Sequence, residues 1–251
     1  MGQAAGAGGS DLVFELCYLE AGGTERRELP ASWPGLRTEA FPQVRGFRWA
    51  RGQGHLPGLW WSVTTGSHVG YESWLERDHV MLLDFAPEVI AIAAQPFWLR
   101  WRDDAGRSRR HAPDLFARMA DGSAVVIDVR PDDRIGPRDA EAFDATRSAC
   151  ELAGWGFRRV GVPDPVRVAN VAWLARYRHP RCSSPDVARQ LLKAFAEPAP
   201  LMAGAAMAGD PLAVLPVLFH LMWRHVLVAD LAVRLTTETL VSAGTAPGGT
   251  W

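Results

Sequence analysis

The stretch that most limits how this chain can fold runs from Arg107 to Val129. At its centre stand Ala120, Asp121, Gly122 and Ser123, with strand-length runs on either side at Arg107–Met119 and Ala124–Val129. Glycine supplies the positive φ of a tight turn and aspartate bonds its own backbone, so the pattern predicts two antiparallel strands joined by a short connection. Such a hairpin fixes which side chains meet. Asp114 falls nearly opposite Asp128, and opposed residues have Cβ atoms only about 5 Å apart. Asp128 and Arg130 are two apart on the second strand, so alternation places both on one face. Two carboxylates this close in a partly buried hairpin repel, and a divalent cation lets both stay ionised. Oxygen-only ligands point to Mg2+ or Mn2+. Spacing alone also allows an ordinary hairpin in which Asp114 pairs with Arg130.

The flanking pattern predicts an α/β core from about residue 45 to 175. Apolar residues from Tyr71 to Phe85 approximate helical spacing between Gly70 and Pro87. Strands are predicted at Val89–Ala93 and at Phe97–Arg102, where Phe97, Leu99 and Trp101 alternate with Trp98, Arg100 and Arg102. A helix from Pro137 to Ala153 closed by Gly154 precedes a last strand at Phe157–Val162. Upstream, Leu12–Arg48 reads as a small β-rich segment broken by Gly and Pro. Downstream the chain reads as helical: residues 181–209 suggest a linker or helix, and 210–244 an apolar helical module. Residues 1–10 and 245–251 are expected to be disordered tails.

Bulk features exclude several function classes. The chain carries 27 Lys plus Arg against 28 Asp plus Glu, so any nucleic-acid site must be local. Only Lys193 is a lysine, which leaves a single candidate for Schiff-base or lysine-nucleophile chemistry. Cys17, Cys150 and Cys182 fit neither a disulfide framework nor a zinc knuckle, and a reducing cytoplasmic setting is expected. No apolar run reaches the length of a membrane span. Gly-rich phosphate loops, serine elbows and zinc-protease motifs are missing.

Glu76 lies on the first predicted helix, with Glu72 one turn earlier and His79 three residues later. It can supply a third carboxylate. Acidic ligands beside a cation suit phosphodiester hydrolysis, because a bound metal stabilises phosphoryl charge and lowers the pKa of a water. Arg107, Arg109, Arg110 and His111 cluster just before Asp114 as candidates for holding DNA phosphates. A charged strand edge is the alternative. Trp60, Trp61, Phe97 and Trp98 could stack on bases, but core packing is the expectation.

Pro113 and Asp114, followed by Asp128, Val129 and Arg130, resemble the PD-(D/E)xK nuclease motif. A longer likeness covers about residues 40 to 180. Gly70, Tyr71, Glu72, Ser73, Trp74, Leu75 and Glu76, then Asp84-Phe85, Gln95-Pro96, Arg110 to Leu115 and Val126 to Arg130, are similar to TnsA-like heteromeric transposase endonuclease subunits. The resemblance implies a restriction-endonuclease-like core, a mixed sheet flanked by helices, with a C-terminal helical module of winged-helix-like type. A buried pair of core helices explains the composition of that module equally well. It further implies that Glu76, Asp114 and Asp128 bind Mg2+ or Mn2+, and that Arg130 occupies the position of the family's catalytic lysine. Arginine stays protonated, so Arg130 can stabilise charge but cannot act as a general base.

Such subunits cut the non-transferred strand at transposon 5′ ends. An integrase-like transposase subunit processes the 3′ ends, and an AAA+ type ATPase regulator couples both to the target. Double-stranded DNA is then the substrate and no membrane is involved. Two rivals are a non-catalytic DNA- and partner-binding subunit and a free-standing restriction or repair nuclease.

Overall fold

The computed structural model describes residues 13–46 and 57–244, so both tails expected to be disordered lie outside the described residues. Strands β1 (Glu15–Leu19) and β2 (Glu25–Glu28) open the chain and are followed by two short 3-10 turns, at Pro30–Gly35 and Thr38–Ala40. Strands β3 (Gly58–Ser62) and β4 (Ser67–Tyr71) form an antiparallel hairpin that leads into helix α1 (Trp74–Phe85). The helix starts three residues later than its periodicity suggests. Ser73 is the N-cap, accepting from the Glu76 amide at 3.2 Å, and this satisfies one of the donors a helix start leaves over.

Strands β5 (Val89–Ala94), β6 (Trp98–Arg102), β7 (Ser108–His111), β8 (Leu115–Met119) and β9 (Ala124–Val129) come next. Helix α2 (Pro137–Ala153) and strand β10 (Gly156–Val160) complete the core. The long strand predicted over Arg107–Met119 is broken in two at Ala112, Pro113 and Asp114. Proline has no N–H to give a ladder, so β7 stays with one sheet and β8 starts another. One sheet has the order β2-β1-β6-β7 and the other β10-β9-β8-β5. The second is mixed: β8 is antiparallel to β5 and β9, whereas β9 and β10 run parallel across the α2 crossover.

Alternation along β8 and β9 feeds two cores. Phe116, Ala124 and Val126 face α2, packing on Ala145, Ala149, Cys150 and Ala153. Leu115, Ala117, Ile127 and Val129 face α1, packing on Val80 and Leu83. Gly154, left-handed at φ 67°, ends α2 where the sequence places the stop.

Beyond the core lie α3 (Pro165–Leu174), α4 (Pro185–Ala194), β11 (Ala199–Pro200), α5 (Leu201–Ala208), α6 (Pro211–Trp223), β12 (Leu227–Val228) and β13 (Leu240–Ala243). The segment read as a linker or helix holds two helices and a short strand. Leu191, Phe195, Leu201 and Ala205 are buried in one apolar cluster with Val171, Leu174, Leu218 and Met222. Composition misleads here because small residues permit close approach: a Cβ on Gly204 would sit 2.3 Å from the Phe195 ring. The three short strands form a sheet of order β11-β13-β12, so the region is not wholly helical. Met81 and Phe85 of α1 join the same cluster, which ties this region to the core. Among the described residues no single helix is long and apolar enough to cross a membrane. Only α5 and α6 taken together pass such a test, and they are bent by 118°.

Candidate active site

Asp114 stands at the break after Pro113, one residue before β8. The register there pairs Leu115 with Ile127 and Phe116 with Val126, and carried one step further it sets Asp114 against Asp128. The backbone holds the pair together. The Asp114 amide reaches Asp128 Oδ1 at 3.4 Å, and the Val129 amide donates to Asp114 Oδ2 at 2.8 Å. Asp128 is 1% exposed; Oδ1 meets His111 Nε2 at 2.8 Å, while the buried Oδ2 has no hydrogen-bond partner. Buried polar atoms are seldom left in that state.

Glu76 enters from α1. Oε2 accepts from the Glu72 amide at 2.7 Å and Oε1 from Ser73 Oγ at 3.0 Å, a reciprocal cap that fixes the carboxylate at the helix start. Burial pushes the Glu76 carboxyl above its ordinary pKa, against those hydrogen bonds. Asp114 is raised well above the usual aspartate value, first by burial and then by the negative charges of Asp128 and Glu76. The three acids thus act on one another. They do not close into a ready chelate: among the described residues no three His, Cys, Asp or Glu side chains are set to hold a metal ion. What favours a divalent cation is the donor set itself, with mutually repelling carboxylates and one orphaned oxygen, all of hard-ligand type.

A cleft of about 820 Å³ opens over Glu76 and Asp114 and is also lined by Arg45, Arg110, Arg130 and Arg134. Arg130, one residue beyond β9, borders this cleft, but its Nη2 donates to Asp139 Oδ1 at 2.7 Å rather than to Asp114. The salt-bridged hairpin with an Asp114–Arg130 pair is therefore not what forms. Asp139 Oδ2 also accepts from the Gly136 amide, so one carboxylate caps α2 and tethers Arg130.

The arginine cluster before Asp114 is divided by strand alternation. Arg110 turns to the cleft, its guanidinium 4.6 Å from the Trp98 ring centre. Arg109 and His111 turn to the α2 side. Arg107 and Arg109 pair with Asp103 at 2.8 and 2.9 Å, and Arg109 also reaches Glu141 at 3.2 Å. They line a separate groove of about 450 Å³ with Asp104 and Asp144. His111 is instead the partner of Asp128. His79 is a packed histidine, its Nε2 2.8 Å from the Gly161 carbonyl. Trp60 and Trp61 also pack, the former donating to Asp84 and both lying beside the Arg178 guanidinium.

Two contributors escape the sequence reading. Arg45 bridges Glu72 Oε2 at 2.6 Å and Gln95 Oε1 at 3.0 Å. Gln95, 1% exposed, has a left-handed φ of 43°, and its amide donates to the Asp114 carbonyl at 3.0 Å. Gln95 did appear beside Pro96 in the family likeness, but nothing local signals a strained backbone there. Arg45 lies in a Gly/Pro-broken stretch with no periodicity.

A mixed sheet between two helices, with carboxylates gathered at the end of its central hairpin, is compatible with a nuclease-like α/β core. Residues 86–160 match the family described as TnsA-like endonuclease N terminal, so this stretch is similar to a TnsA-like endonuclease domain. The match takes in Asp114, Asp128 and Arg130, whereas Glu76 and Arg45 precede it. No curated protein matches the chain.

Proposed function

We propose that the chain is the metal-dependent endonuclease subunit of a heteromeric DNA transposase, cutting the non-transferred strand at transposon 5′ ends. The observation that carries this reading is the pairing of Asp114 with Asp128 inside the TnsA-like stretch, with Glu76 close enough from the preceding helix for its charge to act on Asp114 and with one buried carboxylate oxygen unsatisfied. Asp114 and Asp128, with Glu76, would hold Mg2+ or Mn2+. A cation there lowers the pKa of an attacking water and offsets charge on the phosphoryl oxygens. His111 positions Asp128 by engaging Oδ1, which leaves Oδ2 free of other bonds. Arg110, Arg130 and Arg134 give the cleft wall the positive charge that a DNA backbone requires.

Double-stranded DNA of the transposon ends, an integrase-like transposase subunit and an AAA+ type ATPase are the proposed partners. The C-terminal order helix, strand, helix, helix, strand, strand, with sheet order β11-β13-β12, supports a winged-helix-like module. Its third helix, α6, is buried along most of its length and carries no lysine or arginine. That favours packing against protein over reading a DNA groove.

A second reading, a binding subunit without activity, draws on the pairing of Arg130 to Asp139. One assay separates the two. The protein is incubated, alone and with its transposase partner, with transposon-end duplex and Mg2+, beside Asp114→Ala. The proposal expects 5′-end nicking by wild type and none by the variant; equally intact ends in both favour the binding subunit.

A further inference from the structure

We infer that Arg45 is the cation that engages the scissile phosphate, taking over the electrostatic part that the sequence places on Arg130. The inference rests on the endonuclease reading and deepens it. Both arginines border the cleft, but they are held differently. The Arg130 guanidinium is drawn to Asp139 at the start of α2. Arg45 is drawn toward the acids, by Glu72, whose own amide donates to Glu76, and by Gln95, whose amide donates to the Asp114 carbonyl. Each anchor of Arg45 is therefore bonded directly to a residue of the acidic site.

The anchoring is built, not incidental. Gln95 Oε1 accepts from both Gln43 Nε2 and Arg45 Nε at 3.0 Å, and the Gln95 carbonyl accepts from the Val44 amide at 3.0 Å. One buried residue in a left-handed conformation thus clamps the 43–45 segment beside Asp114, and backbone strain of this kind persists only where surrounding contacts enforce it. Arg45 is still 40% exposed, held by Glu72 at Nη2 and by Gln95 at Nε. A guanidinium fixed through Nε and one Nη keeps donors free for phosphate oxygens, and it stays protonated while it binds. Arg45 moves no proton; it offsets negative charge on the phosphoryl group as the attacking water displaces the leaving oxygen.

The test uses the full chain with its transposase partner and transposon-end duplex in Mg2+, under single-turnover conditions. Arg45→Gln is expected to slow cleavage by about 10²–10³-fold, as loss of one charge-stabilising donor does. Arg45→Lys is expected to lose less, and so is Arg130→Gln. A second readout needs no activity. In chelator, a neutral methylphosphonate at the mapped cut position should weaken binding by wild type and leave Arg45→Gln unaffected. Arg45→Lys, which keeps a cation on the same stem, serves both readouts if Arg45→Gln does not fold. Cleavage by Arg45→Gln within about twofold of wild type, less than one neutral hydrogen bond is worth, would overturn the inference. So would a methylphosphonate penalty that survives the substitution. Cleavage by an Asp114→Ala control would instead sink the nuclease reading, while the methylphosphonate comparison would still judge Arg45.

Discussion

The domain buries carboxylates in two places, and it treats them in opposite ways. Asp84, on α1, receives Trp60 Nε1 at 2.9 Å, Ser62 Oγ at 2.7 Å and the amides of Val63 and Thr64 at 3.3 and 2.9 Å. Arg178 adds a positive charge 4.0 Å away. Asp114 and Asp128 have fewer donors, face each other, and leave Oδ2 of Asp128 with none. A carboxylate surrounded by donors is a structural joint, here fastening the β3–β4 hairpin to α1. Carboxylates buried without enough donors are relieved either by taking up a proton or by a bound cation.

Substitutions at the two places should therefore separate activity from stability. The largest effect is expected from Asp114→Ala, which should lower DNA cleavage by at least about 10³-fold, roughly 4 kcal/mol of transition-state stabilisation. Circular dichroism should show it still folded. Asp84→Ala should do the reverse. It strands several buried donors and should cost about 3–5 kcal/mol in denaturant unfolding, the scale of a broken buried charge cluster. Material that remains folded should still cleave. A smaller change, Ser62→Ala, removes one donor from Asp84 and should cost about 1–3 kcal/mol in the same unfolding experiment. If Asp84→Ala proved as stable as wild type, the contrast between the two places would fail.

The smallest effect concerns pH. Burial and the charges of Asp128 and Glu76 raise the Asp114 carboxyl, so the native state holds that proton to higher pH than the unfolded chain does. Stability is then lost as pH climbs from the unfolded value of about 4 through the raised one. Asp114→Asn cannot ionise. In chelator it should be more stable than wild type at alkaline pH by on the order of 1 kcal/mol, with the difference closing as pH falls toward the unfolded value. Thermal melts across pH give the answer, and a wild type that gains stability over that range would contradict it.

Much of the fold was legible because its signals are local. The Asp121-Gly122 turn set the register that brings Asp114 to Asp128, and Pro137 with Gly154 marked both ends of α2. The break at Pro113 was readable in principle, since proline cannot continue a ladder, yet the alternation on each side hid it. Downstream, helix was expected, but composition left residues 181–209 open between linker and helix: alanine, glycine and proline hide the close packing that sets Gly204 under Phe195. Within the site, Arg45 and Gln95 were beyond reach, being joined to the acids only by tertiary contacts. The grouping of Arg107 with Arg110 failed for a simpler reason, that neighbours on a strand need not share a face.

The account turns on whether Asp114 and Asp128 await a cation, and calorimetric titration of Mn2+ into the full chain measures this directly. Wild type should bind saturably, and Asp114→Asn or Asp128→Asn should each weaken binding by more than the roughly 10- to 100-fold expected for an outer-shell partner. Equal affinity in wild type and both variants would contradict it.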